Sequence, residues 1–331
     1  MKKILFLASL AAVAMTSCTS ESNEYVGDNT PKEIAFNAFS QNLTRSTTDG
    51  TSFNTGYTIK AAAYDITNSR TFFAETDFTK GTTYWQASPK KFWPLSETAI
   101  SFLAYTEFTP AASDPVTWTN TQTLVLKMGD NKQAQKDLMY ACGFGAVTAN
   151  GTNGLDFPSK VDMTFKHAQA WIAFNVNADA TSNNLITLKS ITLNGAKYIG
   201  TYTVTHAGWN STTLGDHSVS GTWGSISGSA NVAVPGWTAA AVSQETDPGV
   251  AVGNGLLVVP DDTANSPDFT SFTITYELDG KEYTYTYTPA SVDLQQGKKY
   301  IFNITFKLHE ILINPTVENW GSGSTTVVDV I

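Results

Sequence analysis

The sequence predicts an all-β protein made of two successive parts. The residues that favour strands (Thr, Tyr, Phe, Val, Ile) are abundant together with Gly, whereas the helix formers Leu, Lys, Glu and Arg are sparse. Many short segments alternate apolar and polar residues with a period of two, and clusters of Gly, Asn, Asp and Ser separate them. A chain of 331 residues, 41% of them hydrophobic, is long and apolar enough for one large or two ordinary domains.

The overall charge excludes one class of function. The net charge is -9 and the isoelectric point is near 4.9, whereas a nucleic-acid-binding protein needs a basic surface. We therefore expect no nucleic-acid partner.

The N-terminus has the features of an export signal. Lysines at positions 2 and 3 precede an apolar stretch, Ile4 to Met15, that is too short for a permanent membrane helix. The motif that follows, Met15-Thr16-Ser17-Cys18, resembles the lipobox of bacterial lipoproteins, in which the cysteine carries the lipid. An ordinary secretory signal with an incidental cysteine is the alternative. Residues 1–18 are thus the predicted signal, residues 19–33 form a polar tether, and no later segment offers the roughly 18 apolar residues of a transmembrane helix.

The first predicted strand is Ile34 to Phe39. Its inward positions are Ile34, Phe36 and Ala38, and it is followed by the polar, turn-rich stretch that contains Arg45-Ser46. This arrangement indicates a strand that a single cut in the following segment would separate from the rest of the chain.

The junction between the two parts is predicted near residue 161. Apolar residues occupy odd positions from Val161 to Phe165 but even positions from Ala168 to Val176. Such a change of phase indicates a bulge, or a chain that passes from one packing environment to another. The predicted domains are residues 34–160 and 161–331.

Two dipeptides in the second part predict hairpin turns. Asp279-Gly280 places Tyr276 opposite Tyr283, Ile274 opposite Tyr285 and Phe272 opposite Tyr287. The same register brings Glu277 opposite Glu282, a repulsion that should cost stability unless Lys281 lies diagonally between them. Asn194-Gly195 is expected to join the strands Ile186 to Leu193 and Tyr198 to Val204.

The chain closes with a segment, Thr325 to Ile331, that follows the flexible spacer GSGS. Its apolar residues lie on both faces, as in a strand buried on both sides; they are Val327, Val328, Val330 and Ile331. It is either the last strand of its own domain or a strand donated to another molecule.

The sequence offers no enzymatic motif. The histidines at 167, 206, 217 and 309 lack the spacing of a metal site, and no nucleophile elbow or phosphate-binding loop is present. His167 is interpreted as a structural histidine. If Cys18 is lipidated, Cys142 has no partner within the chain, and at the end of an apolar run it is interpreted as a buried structural thiol. We expect no enzyme, no cofactor and no metal.

Six segments in order resemble one known family. They are KFWP with ISFLAY (residues 91–105), KDLMYA (136–141), VDMTFKHAQAWIAFNV (161–176), SITLNGAKYIG (190–200), GKKYIFNITF (297–306) and ENW (318–320). Together with the lipobox, they are similar to the fimbrillin-like family of type V pilus subunits.

The resemblance implies two tandem β-sandwich domains of transthyretin-like topology and an assembly mechanism. Such subunits are exported as lipoproteins to the outer membrane and cell surface, where an Arg-specific protease cuts after the first strand. The C-terminal strand of another fimbrial subunit then fills the groove. Here Cys18 matches the lipidated residue, Arg45 the cleavage position and Ser46 the new N-terminus, and the receptor is not identified. A tip or accessory subunit, an uncut anchor, and a lipid-anchored glycan-binding protein with loop tryptophans remain alternatives.

Overall fold

The computed structural model describes residues 30–40, 56–106, 110–111, 116–151, 154–246, 248–261, 268–289, 293–307, 310–319 and 325–326. Strands dominate these residues, and their one helical element is the 3₁₀ turn Leu214–Asp216. The prediction of an all-β protein is confirmed. The tandem transthyretin-like topology stays a prediction.

The strands of the first half are β1 (Ala35–Ser40), β2 (Thr58–Asp65), β3 (Arg70–Lys80), β4 (Trp85–Ala87), β5 (Thr98–Thr106), β6 (Thr117–Thr119), β7 (Thr123–Met128), β8 (Met139–Asn150), β9 (Gly154–Asp156) and β10 (Val161–His167). The strands of the second half are β11 (Ala170–Ala178), β12 (Ile186–Ala196), β13 (Ile199–Ala207), β14 (Ser218–Ser227), β15 (Ala230–Ala233), β16 (Ala240–Ala241), β17 (Val250–Ala251), β18 (Leu256–Val258), β19 (Ser271–Leu278), β20 (Lys281–Tyr287), β21 (Lys298–Lys307), β22 (Glu310–Asn319) and β23 (Thr325–Thr326).

The first sheet closes on itself. Its strand order is β10-β1-β4-β3-β2-β5-β8-β9, and β10 also pairs with β8, so that all of these strands except β9 form a ring. The first core lies inside this ring, and buried residues from each strand of the ring contribute to it, among them Phe36, Ile59, Phe78, Phe102 and Phe165.

A second core covers the outside of the ring. Strand β5 is buried along its whole length because Phe102 and Ala104 face the first core, whereas Leu103 and Tyr105 face the second. The four-stranded sheet β14-β13-β7-β6 supplies the other wall of the second core, with Leu124 and Tyr202. Since β7 comes from the first half and β13 from the second, this sheet joins the two halves.

The third core lies between two sheets in a sandwich-like arrangement. One sheet has the order β17-β11-β21-β22-β23, with β18 also paired to β11. The other has the order β15-β12-β19-β20, with β16 also paired to β12. Buried residues of both sheets, such as Phe174 and Phe302 from the first and Phe272 and Ile274 from the second, pack in one cluster.

The phase change marks the passage between two packing environments. Val161, Met163 and Phe165 of β10 belong to the first core, and after two residues the chain enters β11, where Ile172 and Phe174 belong to the third. Strand β10 therefore pairs within the first sheet although it follows residue 160. The division of the chain into domains at 160/161 itself stays a prediction.

One predicted hairpin is present and the other is not. β19 and β20 pair in the predicted register around Asp279 and Gly280, which have φ angles of 51° and 73°. The Asn194-Gly195 prediction is wrong, because β12 and β13 belong to different sheets and Gly195, with φ 76°, lies at an irregularity within β12.

Lys281 is directed to a neighbouring tyrosine and not to the Glu277–Glu282 pair. It lies over the Tyr283 ring, 5.1 Å from its centroid. The cation at Glu277 is Lys189 of β12, at 2.6 Å.

Candidate assembly site

The first strand occupies the gap between two other strands of the ring. β1 pairs in parallel with β10 from Phe36–Val161 to Ser40–Phe165, and antiparallel with β4 at Ala35–Gln86 and Phe36–Trp85. The predicted strand, Ile34 to Phe39, thus corresponds to β1 with a shift of one residue. Because β1 bridges β10 and β4, the ring is continuous only while β1 is in place.

The inward side chains of β1, and that of Ile34 directly before it, are buried. Ile34 and Phe36 are 0% exposed and Ala38 is 9% exposed. The Phe36 ring lies 4.2 Å from that of Phe78 and 5.5 Å from that of Phe102. Burying an aliphatic or aromatic side chain of this size contributes about 1.5–3 kcal/mol, so loss of β1 would expose an unfavourable apolar groove.

Polar contacts hold the start of β1 and the residues before it. The backbone N–H of Ile34 donates to the carbonyl of Lys91 at 2.8 Å, and that of Trp93 donates to the carbonyl of Lys32 at 2.9 Å. Further along the strand, Asn37 Nδ2 donates to Asp162 Oδ1 at 2.8 Å. These groups would be left at the rim of the groove, where another strand could pair with them.

The predicted processing residues lie outside the described residues. They are Cys18, Arg45 and Ser46, and their roles stay predictions. The other arginine in the sequence, Arg70, is the first residue of β3, and its Nε lies 3.3 Å from Oδ2 of the buried Asp65. Arg70 is thus held in a paired hairpin, whereas Arg45 lies in the segment between β1 and β2.

The candidate donor segment begins as a strand of its own sheet. Thr325 and Thr326 form β23, which pairs antiparallel with Glu318 and Val317 of β22. The apolar residues of the segment, Val327, Val328, Val330 and Ile331, lie outside the described residues. Their role as a donor strand stays a prediction.

The four tryptophans of the glycan-binding alternative, predicted to lie in loops, are engaged within the chain, and two of them lie on strands: Trp118 on β6 and Trp223 on β14. The indole N–H of Trp118 donates to Glu75 Oε2 at 2.9 Å, that of Trp223 to the carbonyl of Ala168, and that of Trp237 to the carbonyl of Leu188. The fourth, Trp209, packs edge-on against Tyr64 at 4.7 Å. These contacts give the tryptophans structural roles.

Cys142 and His167, interpreted from the sequence as structural residues, both pack within the fold. Cys142 lies on β8 opposite Leu103, and burial raises the pKa of its thiol to about 11, which disfavours the reactive thiolate. His167 Nδ1 lies 3.0 Å from Oδ2 of Asp137, and both side chains are buried. Among the described residues no cluster of three or more His, Cys, Asp or Glu side chains could hold a metal ion.

One contact between two histidines has no signal in the sequence. His206 of β13 and His217 after the 3₁₀ turn lie side by side, with Nε2 of the first 2.9 Å from Nδ1 of the second. The pairing of β13 with β14 creates this contact, and the segment between them had no interpretable pattern. The histidine at position 309 is outside the described part of the chain.

Within the described ranges, the chain forms no helix with the length and apolar character needed to span a bilayer.

The folding pattern defines a class of all-β protein in which the first strand completes a closed sheet. Comparison of the sequence with family models gives a match to the fimbrillin-like family over residues 44–320, so the chain belongs to that family. The family assignment made from the sequence is thereby confirmed. The comparison with curated proteins found no match.

Solved structures with the same fold include proteins from three Bacteroides species. A candidate cell adhesion protein of Bacteroides uniformis is 17% identical, with a TM-score of 0.51 over 87% of this chain and 98% of that chain. A fimbrial protein of Bacteroides vulgatus is also 17% identical, with a TM-score of 0.50 over 87% and 99%. A candidate cell adhesion protein of Bacteroides ovatus is 10% identical, with a TM-score of 0.52 over 89% and 100%. At these identities the likeness concerns the fold.

Proposed function

We propose that this protein is a structural or adhesive subunit of a type V fimbria at the cell surface, assembled by strand exchange. Membership of the fimbrillin-like family supports a fimbrial subunit. The observation that carries the proposal further is the position of β1, which completes the ring between β10 and β4 with Ile34 and Phe36 fully buried.

Maturation begins with export and lipidation at Cys18, which attaches the chain to the outer membrane. An Arg-specific surface protease then cuts after Arg45, in the segment that connects β1 to β2. The cut separates β1 covalently from the ring, and Ser46 becomes the new N-terminus. Because the apolar side chains of β1 are buried, we expect the strand to stay in the first core after cleavage until another strand replaces it.

Assembly follows when residues 325–331 of another subunit replace β1. Val328 and Val330 have the same two-residue spacing as Ile34 and Phe36. In an extended strand, the two side chains of each pair therefore point to the same face. The exposed backbone of β10 and of residues 91–93 would pair with the incoming strand. The partners are therefore other fimbrial subunits, either copies of this chain or accessory pilins.

The first experiment treats the soluble protein, without its lipid, with an Arg-specific protease. We expect a new N-terminus at Ser46, followed by oligomers that survive a denaturing gel without heating and fall apart on heating. Arg45→Lys should block the cut, whereas the matched control Arg70→Lys should not. A protein that is cut at Arg70 and not at Arg45 would contradict the maturation step.

A second experiment tests the donor strand. A synthetic peptide with the sequence TTVVDVI is added to the cut protein, and release of the fragment that ends at Arg45 is measured by mass spectrometry. We expect the peptide to replace the fragment and to stop oligomer growth, and a peptide with aspartate at the positions of Val328 and Val330 to do neither. Oligomers that still form after deletion of residues 325–331 would rule out this segment as the donor.

A further inference from the structure

His206 and His217 form a chain of three contacts between separate segments. His206 Nδ1 lies 3.1 Å from the carbonyl oxygen of Thr121, in the turn between β6 and β7. His206 Nε2 lies 2.9 Å from His217 Nδ1, and His217 Nε2 lies 3.0 Å from the carbonyl oxygen of Ser211. The chain thus connects the β6–β7 turn, through two imidazole rings, to the loop that joins β13 to β14.

The contacts need more protons than two neutral rings possess. A carbonyl oxygen only accepts hydrogen bonds, so each terminal contact requires an N–H on the ring, and the central contact requires one more. Two neutral imidazoles carry one N–H each. With both rings neutral, one of the three contacts brings two lone pairs together. All three are hydrogen bonds only when one ring is an imidazolium.

The exposures of the two rings decide which contact lacks its proton. His206 is buried, at 1% exposure, whereas His217 and Ser211 are both partly exposed. Water can therefore replace the contact between His217 Nε2 and Ser211 but not the contacts of His206. In the neutral state each ring carries its proton on Nδ1, so that His217 donates to His206 and His206 donates to Thr121.

The neighbouring charges favour His217 as the ring that becomes charged. Asp216, next to it in the chain, is the acidic group that acts on His217, and its carboxylate accepts a hydrogen bond from Ser211 Oγ at 2.5 Å. On the β10 side, the Lys166 ammonium binds the carbonyl oxygen of Val219, and from β8 the apolar Phe144 ring packs 4.5 Å from the His217 ring. Burial lowers the pKa of His206 to about 4 and also lowers that of His217, so uptake of the third proton requires acid.

The spacing of the two nitrogens distinguishes a proton from a metal ion. Two imidazole nitrogens bound to one tetrahedral zinc, at about 2.0–2.1 Å each, are about 3.3 Å apart. The observed 2.9 Å is instead the length of an N–H···N hydrogen bond. No third ligand from the described residues joins the two rings.

We propose that His206 and His217 form a proton-operated clasp. Protonation of His217 at Nε2 ties the Ser211 carbonyl, and with it the loop at residues 208–216, to the β6–β7 turn. Loss of that proton leaves the two rings joined and breaks the hydrogen bond to the Ser211 carbonyl, so that the loop keeps only its other contacts. The clasp is independent of the proposed fimbrial function, because neither β1 nor the C-terminal segment takes part in it.

The direct test is nitrogen NMR of the histidine rings between about pH 3.5 and pH 8. Near neutral pH we expect both rings as the Nδ1–H form, which is the minor tautomer of free histidine. On acidification His217 should gain its second N–H, whereas His206 should keep its tautomer. Finding His217 as the Nε2–H form at neutral pH would overturn the proposal.

Hydrogen exchange of the 208–216 amides, corrected for the intrinsic effect of pH, tests the consequence for the loop. Because the hydrogen bond that forms is donated by a charged ring, we expect about tenfold or greater protection in acid. His217→Gln should remove this pH dependence. The control Asp216→Asn should retain it, which separates the histidine from the neighbouring carboxylate. Protection that stays constant with pH in the unmodified protein, or stoichiometric zinc binding at the two rings, would refute the clasp.

Discussion

The ring of Phe36 on the first strand lies 4.2 Å from the ring of Phe78 on β3, with the two planes tilted by 33°. This contact joins the strand proposed to be exchanged to the core that remains after exchange. Phe36 also meets Phe102 edge to face at 5.5 Å. The first strand therefore contributes to stability mainly through its inward side chains.

Truncation of this residue should be costly. Phe36→Ala leaves a cavity among aromatic side chains and should lower the free energy of unfolding by about 3–5 kcal/mol, measured by urea denaturation. The control Phe39→Ala changes a side chain on the same strand that is 38% exposed, and its effect should be far smaller. Equal effects of the two changes would show that β1 is not packed as described.

Two glycines on strands should differ sharply in their tolerance of a methyl group. A Cβ at Gly145 on β8 would lie 2.4 Å from the Trp93 ring, so Gly145→Ala should lower the free energy of unfolding by about 1–3 kcal/mol. At Gly224 on β14 the nearest atom would be 4.0 Å away, and Gly224→Ala should be neutral or slightly stabilising. Thermal unfolding of both variants measures the difference. If Gly145→Ala is tolerated as well as Gly224→Ala, the Trp93 position is wrong.

Asp268 should make stability depend on pH. It is buried, and desolvation raises its pKa to about 6 although the backbone N–H groups of Leu294 and Asp261 donate to its carboxylate. The folded state thus holds a proton that the unfolded chain, with an ordinary pKa of 3.8, has lost. The free energy of unfolding should therefore fall as pH rises from about 4 to above 6, by about 2–3 kcal/mol from this group.

The matched variant for this prediction is Asp268→Asn, which cannot titrate. Denaturation curves for both proteins are measured between pH 4 and pH 8. The free energy of unfolding of the unmodified protein, relative to that of Asp268→Asn, should be highest at pH 4 and should fall as the pH rises. A difference between the two proteins that does not change with pH would contradict the raised pKa.

The repulsion between Glu277 and Glu282 can be measured by charge reversal. These residues lie directly opposite each other on β19 and β20, and Lys189 already binds Glu277 at 2.6 Å. Glu282→Lys should stabilise the protein by roughly 0.2–1 kcal/mol, and the gain should shrink with added salt. Glu282→Gln, which removes the repulsion without adding a cation, should give a smaller gain. A loss of stability in Glu282→Lys would indicate that the two side chains do not face each other.

The two hairpins predicted from turn residues show what the local sequence pattern can and cannot specify. Asp279-Gly280 was placed correctly because the alternating residues on both sides of it pair with each other. Asn194-Gly195 has similar turn chemistry, yet β13 pairs with β7 and β14 and not with β12. Turn residues permit a hairpin, but the strands form one only if their apolar faces belong to the same core.

The candidate site was predicted in part. The alternation of Ile34, Phe36 and Ala38 identified the first strand and its buried face, because a period of two specifies which side chains point inward. The alternation did not indicate that β10, which starts more than a hundred residues later, lies beside β1 in parallel. It also gave no sign of the His206–His217 contact.

The sequence by itself determined the all-β class, most of the strands and the apolar face of each, since backbone preference and side-chain alternation are local properties. The tertiary structure alone decided which sheet receives each strand. It placed β1 between β10 and β4, sent β10 and β11 to different cores, and joined the two halves through β7 and β13. The physical reason is that an apolar face gains favourable free energy by packing against any apolar partner of suitable shape. Which partner it meets therefore depends on how all the strands pack together.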